Sequence, residues 1–259
     1  MNAAELRGIL ASEDAIEQNP FKYLGAISGF VNDPEEEEIG RELVLRALER
    51  SACFSGFEEV LDGLTRQVGL FPYMEKSTLR LRDRLAYEIH TVPAGDQEIV
   101  FHRVQAEVFR RLMQGENVIL SAPTSFGKSR IVDAVLATQK FANVAVIVPT
   151  IALIDETRQR LSAFKENYKL VTQIGQNPAG RNIFILTAER FNAFEGLPRI
   201  DFFVIDEFYK LGDHGEDHSR MVALNQAFYR LQKGGAQFYL LGPSIQRIPE
   251  GLEKKFRCF

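Results

Sequence analysis

The 259-residue sequence has no tryptophan, only two cysteines and only four histidines. Cys53 and Cys258 stand 205 positions apart with no ligand-like spacing around either. This excludes a disulfide scaffold or a cysteine-rich zinc module and fits free thiols in a reducing cytosol. Long hydrophobic runs are also lacking. The longest apolar stretch, around residues 144–148, is far short of the roughly 20 residues that a membrane-spanning helix needs. Met1-Asn2-Ala3-Ala4-Glu5-Leu6 offers no basic segment followed by an apolar core, as a secretory signal would. A cytoplasmic location without a membrane partner is therefore expected. Nor is there a basic excess: 31 Lys/Arg face 35 Asp/Glu, a formal charge of −4. A nucleic-acid partner is not excluded, but it lacks its usual whole-chain signature. With 45% hydrophobic and 25% charged residues, the composition is that of a globular protein and rules out collagen or a disordered chain.

What is present divides the chain in two. Residues 1–95 hold 10 Lys/Arg against 17 Asp/Glu, and the remainder holds 21 against 18. The first part predicts short helices. Asp33-Pro34-Glu35-Glu36 reads as a helix start, with an Asp cap and Pro at the first helical position, followed by Ile39, Leu43 and Ala47 at helical spacing. Its acidic run fits either the positive end of a helix dipole or an acidic partner-binding patch. Ser55-Gly56-Phe57-Glu58 reads as a capping box, with Val60, Leu61 and Leu64 as the apolar face behind it and Gly69 and Pro72 closing that helix. Leu81, Leu85 and Ile89 mark another helix before a boundary at Pro93-Ala94-Gly95. The expected organisation is a helical accessory region, 1–95, and a second domain, 96–259.

From about residue 98 the pattern alternates. A helix over 104–113 ends at Gly115. Apolar strands are predicted at 118–120, 144–148, 170–173, 183–186, 202–205 and 238–241, with helices between several of them. Continuous apolar strands separated by helices predict an α/β fold with a mostly parallel sheet covered on both faces. Ligands of such sheets bind beyond the C-terminal strand ends.

Two motifs lie at such ends. Ala122-Pro123-Thr124-Ser125-Phe126-Gly127-Lys128-Ser129 fits the phosphate-binding loop, with Ala in place of the first Gly, between a strand and a helix. Such a loop wraps phosphates with backbone N–H groups and presents a helix N-terminus to them. Lys128 would reach the β/γ-phosphates and the Ser129 hydroxyl would ligate Mg²⁺. Phe202-Phe203-Val204-Ile205-Asp206-Glu207 is an apolar strand ending in two carboxylates. Asp206 can hold Mg²⁺, and Glu207 can position or deprotonate an attacking water. Alone, an acidic pair at a strand end is usually a turn; together with the loop it makes a metal-assisted NTPase site. His214 and His218, spaced i, i+4 among acidic residues, fit either a metal pair or a solvated loop.

This succession resembles the first RecA-like domain of superfamily 2 helicases of the DEAD/DEAH-box type, superkiller-like branch. Gln105 stands where that family places its adenine-reading glutamine. Ser121 to Ser129 resembles motif I, Pro149-Thr150-Ile151-Ala152-Leu153 motif Ia, Thr187-Ala188-Glu189-Arg190 motif Ib, and Asp206-Glu207-Phe208-Tyr209 motif II. Gly242-Pro243-Ser244 falls where motif III belongs. The Phe208-Tyr209 variant and the helical preface are also similar to bacterial phage-defence helicases of the Hachiman type. The resemblance implies ATP on Gln105, Thr124, Ser125, Phe126, Gly127, Lys128 and Ser129. It implies Mg²⁺ on Ser129 and Asp206, and catalysis by Lys128, Asp206 and Glu207. Contacts from Thr150, Thr187 and Arg190 to single-stranded or duplex nucleic acid follow from it, although both threonines also fit ordinary helix caps. Tyr209 replaces the usual His or Asp and only Ser244 supplies a motif III hydroxyl, so coupling through Tyr209 and Ser244 is altered. No second RecA-like domain lies within the 259 residues, so a fragment of a longer helicase is expected, with the arginine fingers on the missing domain. A competing reading is an ATP-dependent switch or scaffold that regulates a partner such as a nuclease effector without unwinding. A small-molecule kinase is disfavoured because neither lid nor acceptor site is visible.

Overall fold

The computed structural model describes residues 1–94, 97–211 and 218–243. The chain forms two compact units: Met1–Val92 with Glu98–Ala106, and Pro93–Gln97 with Glu107–Phe259.

The first unit is helical: α1 (Ala3–Leu10), α2 (Glu13–Glu17), α3 (Pro20–Val31), α4 (Glu37–Glu49), α5 (Glu58–Gln67) and α6 (Leu81–Ile89). Asn2 and Glu5 cap α1 reciprocally, and Asn19 caps α3 ahead of Pro20. Leu6, Leu24, Ile27, Leu43, Val44, Phe54 and Leu61 form the core of this unit. Glu42 on α4 receives Arg7 from α1 and Arg46 from its own helix, and these hydrogen bonds draw its carboxyl down to about 2.

Several local expectations are corrected. Asp33 accepts from the Glu35 N–H in a turn, and α4 begins only at Glu37 with no side-chain cap. Its first turn still places Glu37 and Glu38 at the positive end of the dipole. The Ser55 box does not form. Glu58 instead reaches back to the Gly56 N–H, and α5 starts at Glu58. Leu61 and Leu64 are buried as expected, but Val60 faces outward. On α6 the apolar face is inverted: Leu81, Leu85 and Ile89 are 76%, 57% and 78% exposed, and Tyr87 is the buried residue. A two-stranded sheet, β1 (Thr91–Ala94) and β2 (Gln97–Val100), stands where only a boundary was expected. The helix α7 (Arg103–Met113) follows.

The second unit carries β3 (Val118–Ser121), α8 (Lys128–Ala137), β4 (Asn143–Ile147), α9 (Ile151–Leu161), β5 (Lys169–Val171), β6 (Asn182–Leu186), α10 (Ala188–Asn192), β7 (Phe202–Asp206), α11 (His218–Lys233) and β8 (Gln237–Gly242). Six of its strands form one sheet in the order β3-β8-β7-β4-β6-β5, and each of these pairings is parallel. One face of the sheet, with Ile119, Ala145, Phe184, Phe203, Ile205, Phe238 and Leu240, packs against Phe191, Leu224, Ala227 and Leu231. The alternate residues Val118, Val144, Val146, Phe202, Val204 and Tyr239 are buried as well. Both faces are thus covered, which is why these strands read as unbroken apolar runs. Phe203, Phe228 and Phe238 stack edge-on or tilted, with ring centroids 5.7–5.9 Å apart. Among the described residues no helix is long and apolar enough to cross a membrane.

Candidate functional site

The strand order brings the two chemical motifs to one edge. β8 lies between β3 and β7. Leu120, Leu241 and Asp206 share a row, since Leu120 pairs with Leu241 and Leu241 with Asp206. Two strand spacings put Leu120 and Asp206 roughly 10 Å apart. The phosphate loop leaves β3 just beyond that row.

Thr124, Ser125 and Phe126 form a single tight helical turn between β3 and α8. Gly127 then adopts φ 76°, ψ 36°, a left-handed conformation that glycine enters without steric cost. This reversal lets α8 begin immediately at Lys128, so its first N–H groups face the loop. Lys128 Nζ donates to the carbonyls of Ala122, at 2.6 Å, and Pro123, at 3.0 Å. Its ammonium is held over the loop by neutral acceptors, which a phosphate oxygen would replace with a stronger charged one. Ser129 is exposed on the first turn.

Asp206 ends β7, and its Oδ1 accepts from the Glu207 N–H at 3.0 Å. Burial pushes the Asp206 carboxyl above the ordinary aspartate range, and the charge of Glu207 pushes the same way. The Glu207 N–H, Lys128 and Arg160 oppose this. Burial likewise pushes the Lys128 ammonium below the usual lysine range, against the pull of Asp206. Both charges are therefore under-solvated where they stand. This donor set fits a divalent cation: a hydroxyl and an under-solvated carboxylate, both hard oxygen donors.

Asp206→Asn provides a check on this electrostatic picture. An acid raised in the folded state binds protons more readily folded than unfolded. Its penalty is therefore absent below the unfolded value, near 3.8, and grows as pH rises through the folded value. The substitution is expected to raise the melting midpoint at neutral pH. The gain should vanish as pH falls below the aspartate range. Calorimetric melting of both proteins between pH 3 and 8 measures it; a gain independent of pH would contradict the assignment.

Glu207 has φ 60°, a left-handed conformation unusual for a residue with a side chain. Its carboxylate pairs with Lys210, whose ammonium also lies 5.9 Å from the centroid of the Tyr209 ring. Phe208 is fully buried in the core.

Thr150 and Thr187 follow the adjacent strands β4 and β6, whose ends pair through Ile147 and Leu186. Each hydroxyl caps a helix: Thr150 accepts from Leu153 N–H, and Thr187 from Arg190 N–H. Thr150 is exposed, Arg190 half-buried and Thr187 buried. Gln105 is buried on α7, where its Oε1 accepts from the His102 N–H at 2.9 Å and so caps its own helix. Ser244 and His214 lie outside the described residues. His218 opens α11, and among the described residues no cluster of three potential metal ligands occurs.

Sequence reasoning missed the residues that brace this edge. Arg160 on α9 forms an ion pair with Asp133 on α8 and also donates to the Ser129 carbonyl at 3.4 Å. It thereby ties the first turn after the loop to the helix that follows motif Ia. Gly242 and Phe208 meet across the end of β8. Only their partners in space, 27 and 34 positions away in the chain, give these residues meaning; the one local signal was a glycine where motif III usually has a serine.

Two family models match parts of the chain. Residues 1–84 match the Anti-bacteriophage protein B N-terminal domain, and residues 102–239 match the DEAD/DEAH box helicase family. The chain is 40% identical over 245 residues to Anti-bacteriophage protein B of Escherichia coli (strain K12), a match covering 90% of this chain and 33% of that protein. It is 26% identical over 171 residues to a Helicase POLQ-like protein of Caenorhabditis elegans, covering 58% of this chain and 18% of that one. The chain thus spans a third or less of the length of these curated relatives. Among solved structures, the DUF1998 helicase MrfA bound to DNA and AMPPNP superposes with TM-score 0.43 at 18% identity, over 63% of this chain and 27% of that one. The family match takes in the loop, the acidic strand end and more than half of the residues: this chain belongs to the DEAD/DEAH box helicases.

Proposed function

We propose that this chain is the ATP-binding half of a superfamily 2 helicase or translocase motor that acts in phage defence. The carrying observation is the single sheet edge that brings Lys128, at the head of α8 just beyond β3, beside Asp206 at the end of β7, through the rows Leu120–Leu241 and Leu241–Asp206. ATP would seat its phosphates on the loop from Thr124 to Ser129, with Lys128 on the β/γ-phosphates and Gln105 reading the adenine. Ser129 and Asp206 would hold Mg²⁺, which supplies positive charge to the transferring phosphoryl group. Glu207 would orient and deprotonate the attacking water. Thr150, Thr187 and Arg190 would contact the phosphates of a nucleic-acid strand. The phage-defence assignment rests on the likeness to Anti-bacteriophage protein B, which is about three times as long as the matching part. The partners on this reading are a second RecA-like domain in the same longer polypeptide and, from the helicase family, a nucleic acid. The helical unit 1–95 is read as an accessory region of this motor.

Lys128→Ala tests the site directly. It removes the phosphate-directed charge from a half-exposed loop position and should leave the fold intact. Expected is loss of measurable ATP–Mg²⁺ binding in isothermal titration, an affinity drop of about 10²-fold or more, with an unchanged circular dichroism spectrum. Unchanged affinity would dismiss the assigned site.

A further inference from the structure

Gly242 ends β8, and a Cβ built there would lie 2.9 Å from Phe208 Cε1 and 3.2 Å from Cδ1. Real side-chain carbons essentially never approach so closely. The ring belongs to the residue after Glu207 and is fully buried in the core beneath the sheet. On its other side the same short segment holds the phosphate loop. The Gly242 carbonyl accepts from the Ala122 N–H at 3.2 Å, and the Pro243 carbonyl accepts from the Ser121 hydroxyl at 2.9 Å. β8 is also hydrogen-bonded to both strands that carry the site.

Glu207 sits between two fixed points. Asp206 is in register with Leu241, and Phe208 is wedged under Gly242. A residue with a side chain at φ 60° keeps that conformation only when its surroundings over-determine it. The two anchors supply that constraint. We infer that Phe208 and Gly242 form a size-matched joint by which the end of β8 sets Glu207 against the phosphate loop, so that Phe208 is a positioning residue for hydrolysis. This inference rests on the ATPase reading above.

A reciprocal size swap in the intact polypeptide that carries this chain tests it. Gly242→Ala inserts the forbidden carbon, displaces the ring and with it Glu207. Its kcat for ATP hydrolysis should fall about 10–100-fold, the scale of a misplacement of about 1 Å, while ATP affinity stays within about threefold because Lys128 and Asp206 are untouched. Phe208→Leu removes the ring atoms that a Cβ would strike. Alone it loosens the joint and should lower kcat by about 3–10-fold, again without a matching change in KM. Combined with Gly242→Ala it should restore kcat to at least the level of Phe208→Leu alone. A purely structural role would lower the melting temperature without this split between kcat and KM and without relief in the double variant. Gly242→Ala turning over at the wild-type rate, or a loss that Phe208→Leu does not relieve, would overturn the joint while leaving the ATP site standing. Should Gly242→Ala fail to fold, Phe208→Leu decides alone, and wild-type kcat in that variant overturns the inference. Wild-type protein that binds no ATP–Mg²⁺ in a parallel titration would overturn the site itself, and the joint with it.

Discussion

Glu207→Gln is expected to bind ATP normally and to hydrolyse it at least about 10²-fold more slowly than the parent motor. Asp206 is the last residue of β7 and keeps its place in the sheet through Leu241. Asp206 and Lys128 therefore keep their places when Glu207 changes, and loss of the Glu207 charge, which pushes the Asp206 carboxyl upward, favours its ionised form, so affinity should stay within about a few-fold. On the proposed reading, what is lost is the group that would accept a proton as the water oxygen forms its bond to the γ-phosphorus and the bond to the β,γ-bridging oxygen breaks. Glutamine has nearly the same shape and cannot accept that proton at neutral pH. It also gives up the ion pair with Lys210, an exposed contact of small energetic weight, so the fold should not suffer. Single-turnover hydrolysis with ATP in the intact polypeptide, alongside an equilibrium binding isotherm, separates chemistry from binding. Equal single-turnover rates would remove Glu207 from the chemistry.

The parts of this site that were legible in the sequence are those whose meaning is contiguous. The loop from Ala122 to Ser129 carries its own turn, glycine and helix start, and Gly127 adopts the left-handed conformation that the motif demands. The buried strands were equally plain, because a parallel sheet covered on both faces leaves no polar alternation to blur them. Periodicity did less well where it had to say which face is covered. Leu81, Leu85 and Ile89 recur at helical spacing and do lie on a helix, yet they point outward while Tyr87 packs inward. A spacing of four establishes a helix; only the neighbours decide which stripe is buried. Caps failed for a related reason. Asp33 and Ser55 are good cap residues, but the chain turns once more before each helix begins. The braces at the catalytic edge, Arg160 with Asp133 and Phe208 with Gly242, join elements distant in sequence and close in space only through the strand order. Nothing in a linear pattern announces them.

The same brace bears on the expected behaviour of residues 1–259 in isolation. Charge on a transferring phosphoryl group is normally neutralised by Mg²⁺, a loop lysine and an arginine from outside the loop, and that arginine is worth about 10³–10⁵ in rate. Arg160 is a cation of this chain that bears on Asp206. Its guanidinium is already committed to Asp133, a carboxylate pushed upward by burial, and to the Ser129 carbonyl. Freeing Arg160 would take from the largely desolvated Asp133 its ion-pair partner and leave only the charge of Arg130 to oppose its burial, an arrangement that proteins avoid. Arg160 therefore holds the loop helix in place and does not reach forward to the phosphates. On the proposed reading, the arginine comes from a second motor domain, which also completes the grip on a nucleic-acid strand. Residues 1–259 are then expected to bind ATP–Mg²⁺ weakly, to turn it over at least about 10³-fold more slowly than the intact polypeptide, and to respond little to single-stranded DNA or RNA. Steady-state phosphate release with and without oligonucleotides, run on both proteins, measures this. Robust, strand-stimulated turnover by residues 1–259 would place the stimulating arginine inside the chain. Arg160→Gln would then be the first variant to make, because a loss of rate without a loss of ATP affinity would show that Arg160 leaves Asp133 during the reaction.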